Sequence, residues 1–330
     1  MPAARFLAAA LVALLIGGCG MPSFLITPVG SSSELEELVA DPGETSRRKI
    51  ALIEVEGMLA NTRATSGGIL GGGGENKVSL LKQQLDAAAA DDRVKGVVLR
   101  INSPGGTVAA SDTMYEMVQH FRESTGKPVV AYCQDIAASG GYYVACAADE
   151  IHASEASIVG SIGVILQAPD LSGLMEKVGV SVSSLKSGPL KDMGSPYDGL
   201  DDNERAVMQT MVDEMYASFT AVVDDARGDA VDRSLAYDGR VFTGTQAMEV
   251  GLLDRLCGLE ESIDRARRLA KAPGAAVIQY KRPFGYSGSI YASSPMSVPA
   301  ASEGQLRVEV PGLDRVAPML RPGMYYLWQP

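Results

Sequence analysis

Short apolar runs alternate with segments of helical periodicity along the middle of this chain, and this alternation most constrains its fold. Strand-like runs cover Lys49–Glu56, Val94–Ile101 and Pro128–Cys133. Apolar residues at helical spacing lie between and after them, over Val78–Ala90, Val108–Glu123 and Ser139–Ala148. Strands separated by single helices predict an α/β layered fold. Further along, the pattern predicts two helices and one strand, over Leu200–Ala226, Leu259–Lys271 and Ala276–Tyr280.

The first residues have the pattern of a bacterial targeting segment. Arg5 precedes an apolar run from Phe6 to Ile16, which is shorter than the ~20 residues that span a membrane. The run ends in Leu-Ile-Gly-Gly-Cys19, which resembles a lipobox with Cys19 as the lipid-bearing residue. An ordinary secretion signal or short anchor is the alternative. We therefore expect a lipoprotein of the bacterial cell envelope, held to the membrane outside the cytoplasm by its lipid.

Composition divides the chain into four parts. We predict a signal peptide over 1–18, a tether over 19–48, a folded domain over 49–281, and a Ser/Pro-rich linker with an aromatic tail over 282–330. The glycine-rich segment Thr65–Glu75 cannot pack a core and is predicted to be a mobile loop. The aromatic end of the tail, Leu320–Pro330, is expected to dock on a surface of its own chain or of a neighbour.

Charge and cysteine content argue against several classes of function. The formal net charge is -11, which argues against nucleic acid as a partner because its phosphates would be repelled. Beyond Cys19 the chain has Cys133, Cys146 and Cys257, an odd number without Cys-x-x-Cys spacing. This pattern indicates neither a disulfide framework nor a zinc site. We expect no metal and no cofactor.

Ser139 is the candidate nucleophile. It follows a strand and opens a helix, and its small neighbours Ala138 and Gly140 would let a substrate carbonyl approach. A serine hydroxyl needs a base within hydrogen-bond reach, yet the chain has only His120 and His152. His120 lies on an amphipathic helix and His152 in a short apolar run, so both are expected to be structural or solvated. A Ser-His-Asp triad is therefore not expected.

A lysine is the expected replacement for the missing histidine, because burial lowers the pKa of an amine toward neutrality. Lys191 lies in the Gly- and Pro-containing loop Ser187–Pro196, beside Leu190 and Met193, and could be held away from water. Lys186 is a rival without such a loop. The segment Asn102–Thr107 contains paired glycines whose exposed amides would suit an oxyanion hole.

Together these segments resemble the signal peptide peptidase A family of bacterial membrane-associated serine peptidases, in its short form. The matching motifs are Ile101–Gly106, Ala138–Tyr143, Ala148–Ala153, Val159–Val164, Lys186–Asp192, and Asp238–Gly244 with Gly251–Asp254. The resemblance covers about Lys49 to Lys271. Val159 departs from it, because the family usually has threonine there.

The resemblance implies a Clp protease/crotonase-like layered fold of repeated strand-strand-helix units, so that the domain over 49–281 would be a peptidase domain. It implies Ser139 as nucleophile, Lys191 as general base and Ser161 as the hydroxyl that orients the lysine. The amides of Gly106 and Gly140 match the oxyanion hole. Expected substrates are signal peptides and other membrane-derived peptides. A homo-oligomer is expected, in which the lysine can come from a neighbouring subunit.

Two alternatives remain at this point. A crotonase-type acyl-CoA hydratase or isomerase would share the fold and the glycine oxyanion hole, but it would leave the Ser139 and Lys191 loops unexplained. A non-catalytic lipoprotein scaffold would carry the same residues without using them.

Overall fold

The computed structural model describes residues 35–44, 47–61 and 76–281, together with the backbone of 323–327. The helices of this part of the chain are α1 Lys77–Ala90, α2 Val108–Thr125, α3 Gly140–Ala145, α4 Ser172–Val178, α5 Asp202–Arg227, α6 Arg233–Ala236, α7 Gly244–Glu249 and α8 Leu259–Leu269. The strands are β1 Glu36–Asp41, β2 Lys49–Glu56, β3 Val94–Ser103, β4 Gly105–Thr107, β5 Val129–Ala138, β6 Glu150–Ala153, β7 Ile158–Gly160, β8 Ile165–Gln167, β9 Val241–Thr243, β10 Arg255–Leu256, β11 Ala276–Lys281 and β12 Gly323–Leu327.

A large sheet with helices on both faces forms the framework. Its main path runs β1-β11-β2-β3-β5-β6-β10, with every neighbouring pair parallel except the antiparallel edge pair of β1 and β11. One face of β2 packs Ile53 and Val55 into the larger core, and the other packs Ile50 and Leu52 in a second cluster that includes Leu259 of α8. Burial of both faces explains why the inner strands read as continuous apolar runs. The α/β layered fold predicted from the sequence is confirmed.

Strand β5 changes partners along its length. Its first half pairs with β6, and its second half pairs with β7, which in turn pairs antiparallel with β9. The second half of β5 therefore leads to a separate corner of the molecule, where Ala138 ends the strand and Ser139 begins the turn into α3.

A second, smaller sheet flanks this corner. It has the order β4-β12-β8, and both of its strand pairs are antiparallel. The backbone of the predicted aromatic tail thus forms the central strand of a sheet with two segments of its own chain.

Several boundaries differ from the sequence prediction, and three of them differ most. The main sheet begins at β1, which lies inside the segment 19–48 predicted to be a tether. The folded part therefore begins earlier in the chain than predicted. An edge strand such as β1 is partly exposed, and its apolar pattern is correspondingly weak. Strand β5 runs to Ala138, beyond the predicted Cys133, and helix α3 ends at Ala145 instead of Ala148.

Several other predictions fall outside the described residues. These are the signal segment with Cys19, the glycine-rich loop Thr65–Glu75 and the linker between 282 and 322. Strand β11 ends at Lys281, and the domain boundary expected there stays a prediction. Among the described helices, none combines the length and the apolar character needed to cross a membrane.

Candidate active site

Ser139 occupies a strained corner between β5 and α3. Its backbone has φ 52° and ψ −118°, a region that non-glycine residues rarely adopt, and the residue is only 1% exposed. Its amide donates a hydrogen bond of 2.6 Å to the Gly160 carbonyl, and its carbonyl accepts one of 2.9 Å from the Tyr143 amide. Strain of this kind persists only where the surrounding structure imposes it, and it is common at active sites.

Strand register places Ser161 beside Ser139. Ala138 and Gly160 are paired residues of the parallel strands β5 and β7, and each serine follows directly after its strand. Neighbouring strands lie about 4.8 Å apart, so the two serines are neighbours. Ser161 is 8% exposed, also has a positive φ of 55°, and donates its amide to the Arg240 carbonyl at 2.7 Å.

Gly106 and Gly140 lie next to each other beside this corner. A Cβ atom built on Gly140 would lie 3.2 Å from the Gly106 amide nitrogen and 2.2 Å from Ser111 Oγ. A Cβ atom on Gly106 would lie 1.8 Å from the Leu59 carbonyl oxygen. Neither position accepts a side chain, and the Gly140 amide belongs to the first turn of α3, where amides lack intrahelical partners.

The direction of the Gly106 amide follows from the bonds of its neighbours. The Leu59 amide donates a hydrogen bond to the Gly105 carbonyl, and the Leu59 carbonyl accepts one from the Thr107 amide, both at 2.8 Å. Successive residues of an extended strand point their backbone groups to opposite edges. The Gly106 amide therefore points away from Leu59, to the edge of β4 that pairs with β12.

Two polar residues at the end of β3, which the sequence analysis does not single out individually, hold this turn in place. Ser103 is fully buried, donates to the Gly57 carbonyl at 2.7 Å and accepts the Gly105 amide at 3.0 Å. Asn102 donates to the Asp135 carboxylate at 3.1 Å. A pair of polar residues ending an otherwise apolar strand is the sequence signal that could have identified them.

Lys191 is exposed, so the prediction that its loop shields it from water is wrong for this chain taken alone. Its backbone amide bonds the Gly188 carbonyl at 3.2 Å, but within the described ranges its ammonium group makes no hydrogen bond or ion pair and no bond joins it to Ser139. The loop lacks cover because the apolar residues around it, including Leu185 and Val182, are themselves exposed.

Lys186 is unsuited to the role of base. Its ammonium group pairs with the Asp192 carboxylate at 2.7 Å. The hydrogen bond to that carboxylate raises the pKa of Lys186, which keeps the amine protonated and unable to accept a proton.

Neither histidine lies near Ser139. His152 is fully buried, bonds Glu150 and Ser262 at 3.0 Å each, and has its pKa lowered by burial. It pairs with Tyr132, which precedes Ser139 by 7 residues, or about 23 Å along an extended strand. His120 is exposed and lies near the C-terminal end of α2. The N-terminal end of this helix is the one next to Gly106.

The cysteines and acidic residues add no metal site here. Cys133 and Cys146 are buried free thiols, and burial raises the pKa of Cys146 to about 12. In the part of the chain that the structure describes, no group of three or more His, Cys, Asp or Glu residues is arranged to hold a metal ion.

Comparison with known proteins places the chain in a family. The model of peptidase family S49 matches residues 121–273, and the Clp protease model matches residues 66–161. A putative signal peptide peptidase SppA of Enterococcus faecium is 36% identical over 253 residues, which cover 76% of this chain and 72% of that protein. A putative protease of Synechocystis sp. is 38% identical over 231 residues, or 69% of this chain and 77% of that protein.

Other matches are shorter or more distant. A putative protease of Methanocaldococcus jannaschii is 38% identical over 197 residues, and the match spans 63% of its length. Among solved structures, a membrane-bound stomatin-specific protease in complex with a substrate peptide aligns with a TM-score of 0.42 at 14% identity, over 73% of this chain and 95% of that one.

The Enterococcus and Synechocystis relatives are matched over more than two thirds of their lengths, and the family models name the same class of enzyme. A peptidase assignment also accounts for the Ser139 loop, which the acyl-CoA alternative leaves unexplained. The chain belongs to peptidase family S49 and is a serine peptidase of the signal peptide peptidase A type.

Proposed function

We propose that this protein is a membrane-tethered serine endopeptidase in which Ser139 is the nucleophile and Lys191 the general base. Its substrates are signal peptides or other membrane-derived peptides. The observation that carries the proposal is the position of a buried, strained serine beside the neighbouring backbones of Gly106 and Gly140. The printed name of the Enterococcus relative, a signal peptide peptidase, supports the substrate class.

The arrangement suits acyl transfer. The Ser139 hydroxyl attacks the scissile carbonyl and gives its proton to the neutral amine of Lys191. The carbonyl oxygen becomes negatively charged and accepts hydrogen bonds from the amides of Gly106 and Gly140. Each donor of this kind increases the rate by roughly 10²–10³-fold. The lysine returns the proton to the leaving amine, and water then hydrolyses the acyl-serine ester.

Ser161 is proposed as the residue that orients the lysine. Its position next to Ser139 in the parallel register supports this role, and its amide bond to the Arg240 carbonyl holds its backbone there. Because it would position the base without forming bonds to substrate, its removal should reduce the rate without abolishing it.

The exposure of Lys191 supports a homo-oligomeric enzyme in which a neighbouring subunit completes the site. Several large apolar residues around its loop are exposed: Leu171, Leu174, Val178, Val180, Val182, Leu185 and Tyr197. Exposed apolar residues concentrated in one segment of the chain are typical of a protein interface. Burial in such an interface would remove water from the amine, which a base of this type requires.

The tether is proposed from the sequence of residues 5–19, with a lipid on Cys19 and the body outside the cytoplasm. Metabolic labelling with a radioactive fatty acid should label the wild type and fail to label Cys19→Ser. Labelling of both proteins, or of neither, would contradict the lipoprotein anchor.

Kinetics on a peptide taken from a signal sequence test the dyad. Ser139→Ala and Lys191→Ala should each abolish cleavage, and the double variant should lose little more, since the two residues act as a unit. Lys191→Arg should also be inactive, because a guanidinium stays protonated. Lys186→Ala is the matched control and should remain active; activity in Lys191→Ala with loss in Lys186→Ala would assign the base to Lys186.

A further inference from the structure

Strand β5 contains a bulge just before the candidate nucleophile. Along its pairing with β3, Ile101 lies opposite Cys133 and Ser103 lies opposite Ala137, so two steps of β3 correspond to four steps of β5. A bulge bends its strand and re-aims the side chains that follow, and bulges are common beside active sites. This one, over 134–136, ends shortly before Ser139, so its shape sets the direction in which β5 presents the nucleophile.

The bulge coincides with the change of partner on the other edge of β5. The strand pairs with β6 as far as Cys133 and with β7 from Ile136 onwards. The closeness of Ser139 to Ser161 results from the register between β5 and β7, and that register begins inside the bulge. Groups that hold the bulge therefore also hold the two serines side by side.

Asn102 holds the edge of the bulge that faces β3. Its side-chain oxygen accepts a hydrogen bond of 3.3 Å from the Ile136 amide, and its side-chain nitrogen donates one of 3.1 Å to the Asp135 carboxylate. Without the extra residues, Asp135 would lie opposite Ser103, in the place of buried Ala137. Because an unpaired carboxylate is costly to bury, the bulge and its bond to Asn102 keep this charge at the surface.

Ser157 holds the opposite edge. It is only 1% exposed, and its hydroxyl donates to the carbonyls of Cys133 and Gln134, with an oxygen–oxygen distance of 3.0 Å to the first. The same hydroxyl oxygen accepts the Ser154 amide at 3.1 Å. In a regular parallel ladder, amides of the neighbouring strand would bond such carbonyls, and a buried carbonyl without a donor is unfavourable. Ser157 thus supplies a donor at the point where β5 leaves β6.

We propose that Asn102 and Ser157 are positioning residues for the peptidase reaction, which hold the β5 bulge from its two edges. By fixing the bulge they fix Ser139 beside Ser161. The inference rests on the proposed function, because it assigns supporting residues to the same nucleophile. A misplacement of about 1 Å can cost as much as 10²-fold in rate. Since both residues act on the attacking hydroxyl through the backbone of β5, their loss should lower kcat and leave KM unchanged.

Hydrogen exchange tests the support of the bulge without relying on activity. In an inactive Ser139→Ala background, we expect slow exchange of the Ile136 amide, which becomes fast when Asn102→Ala is added. Ser154→Ala in the same background is the matched control, because the Ser154 hydroxyl bonds the Ser157 hydroxyl instead of the bulge. Equal exchange of the Ile136 amide in all three proteins would overturn the role of Asn102.

Kinetics then test the effect on the nucleophile. Ser157→Ala should lower kcat for a reporter peptide by about tenfold or more with unchanged KM, and should slow fluorophosphonate labelling of Ser139 by a similar factor. Ser154→Ala should keep the wild-type values. A folded Ser157→Ala protein with wild-type kcat and labelling rate would refute the positioning role of Ser157.

An exchange of side chains between Asn102 and Asp135 keeps the proposal testable if Ser157→Ala does not fold. Asn102→Asp alone brings two carboxylates together and should lower kcat. Addition of Asp135→Asn restores one donor and one acceptor with their places exchanged, and should recover most of the lost kcat. A double variant no more active than Asn102→Asp would overturn the proposal.

These readouts separate two kinds of failure. A wild type that cleaves no peptide and takes up no fluorophosphonate would refute the proposed function and, with it, the positioning role. Fast exchange of the Ile136 amide in the Ser139→Ala protein itself, in an enzyme that does cleave peptides, would refute only the support of the bulge.

Discussion

Ser139 combines a side chain that the chemistry requires with a backbone conformation that favours glycine. A strained positive-φ residue costs on the order of 1–3 kcal/mol, whereas glycine adds about 0.5–1 kcal/mol of chain entropy. We therefore expect Ser139→Gly to be about 1 kcal/mol more stable than Ser139→Ala, with both inactive. Urea unfolding of the two variants provides the comparison. An alanine variant of equal or higher stability would show that the corner is not strained.

The two glycines of the proposed oxyanion hole differ in what opposes an added methyl group. At Gly106 the obstacle is the backbone carbonyl of Leu59 at 1.8 Å, and at Gly140 it is the Ser111 hydroxyl at 2.2 Å, which can rotate. Gly140→Ala should cost about 1–3 kcal/mol, as overpacking does, and Gly106→Ala should cost more or prevent folding. Thermal unfolding should also show partial recovery of Gly140→Ala when Ser111→Ala is added. The opposite order of stability would contradict this account.

At the scale of elements, Glu150 joins β6 to α8. Its carboxylate accepts a hydrogen bond of 2.9 Å from Arg265 Nε. This bond lowers the pKa of Glu150 to about 2, and the hydrogen bond with His152 makes a smaller contribution. A depressed carboxyl pKa stabilises the fold above the unfolded value near 4.3 and loses that effect as the pH falls through 2.

Glu150→Gln should therefore unfold more easily at pH 7, by on the order of 1 kcal/mol because solvent screens this partly exposed pair, and the difference from wild type should shrink between about pH 4.5 and 2. Denaturant titrations at several pH values measure it. Glu155→Gln is the control, because Glu155 makes no ion pair with any residue that the structure describes. A difference that stays constant across this range would show that ionisation of Glu150 does not stabilise the fold.

Elements with strong periodicity could be predicted from the sequence, and those defined by distant partners could not. Strand β2 and helix α1 lie within one residue of their predicted bounds, because burial of apolar residues sets their pattern. Strands β7 and β8 have three residues each, too few for a period to appear. Strand β12 depends on pairing across more than 150 residues, which no local pattern encodes.

The same distinction applies to the candidate site. Ser139 has a local signal, a serine between small residues at a strand-to-helix corner. Its closeness to Ser161 follows from the register of β5 and β7, which only the assembled sheet provides. The enclosure expected for Lys191 was inferred from its apolar neighbours, and those neighbours are exposed in the single chain.

At the scale of the whole molecule, the shared-site hypothesis predicts complementation. Inactive Ser139→Ala and inactive Lys191→Ala proteins, dissociated and reassembled together in equal amounts, should regain activity. If each site combines a serine and a lysine from different subunits, about a quarter of the sites in a random mixture hold both intact residues. Peptide cleavage by the mixture measures this. An active monomer and a mixture without activity would place both residues in one subunit.

The identity of the reactive serine is the central claim, and covalent labelling tests it most directly. A fluorophosphonate probe, followed by proteolysis and mass spectrometry, should modify Ser139 in the wild type and should not modify Ser139→Ala. Lys191→Ala should label far more slowly, because the hydroxyl then lacks its base, while Lys186→Ala should label at the wild-type rate. A probe adduct on another serine, or labelling that persists in Ser139→Ala, would contradict the assignment of Ser139 as the nucleophile.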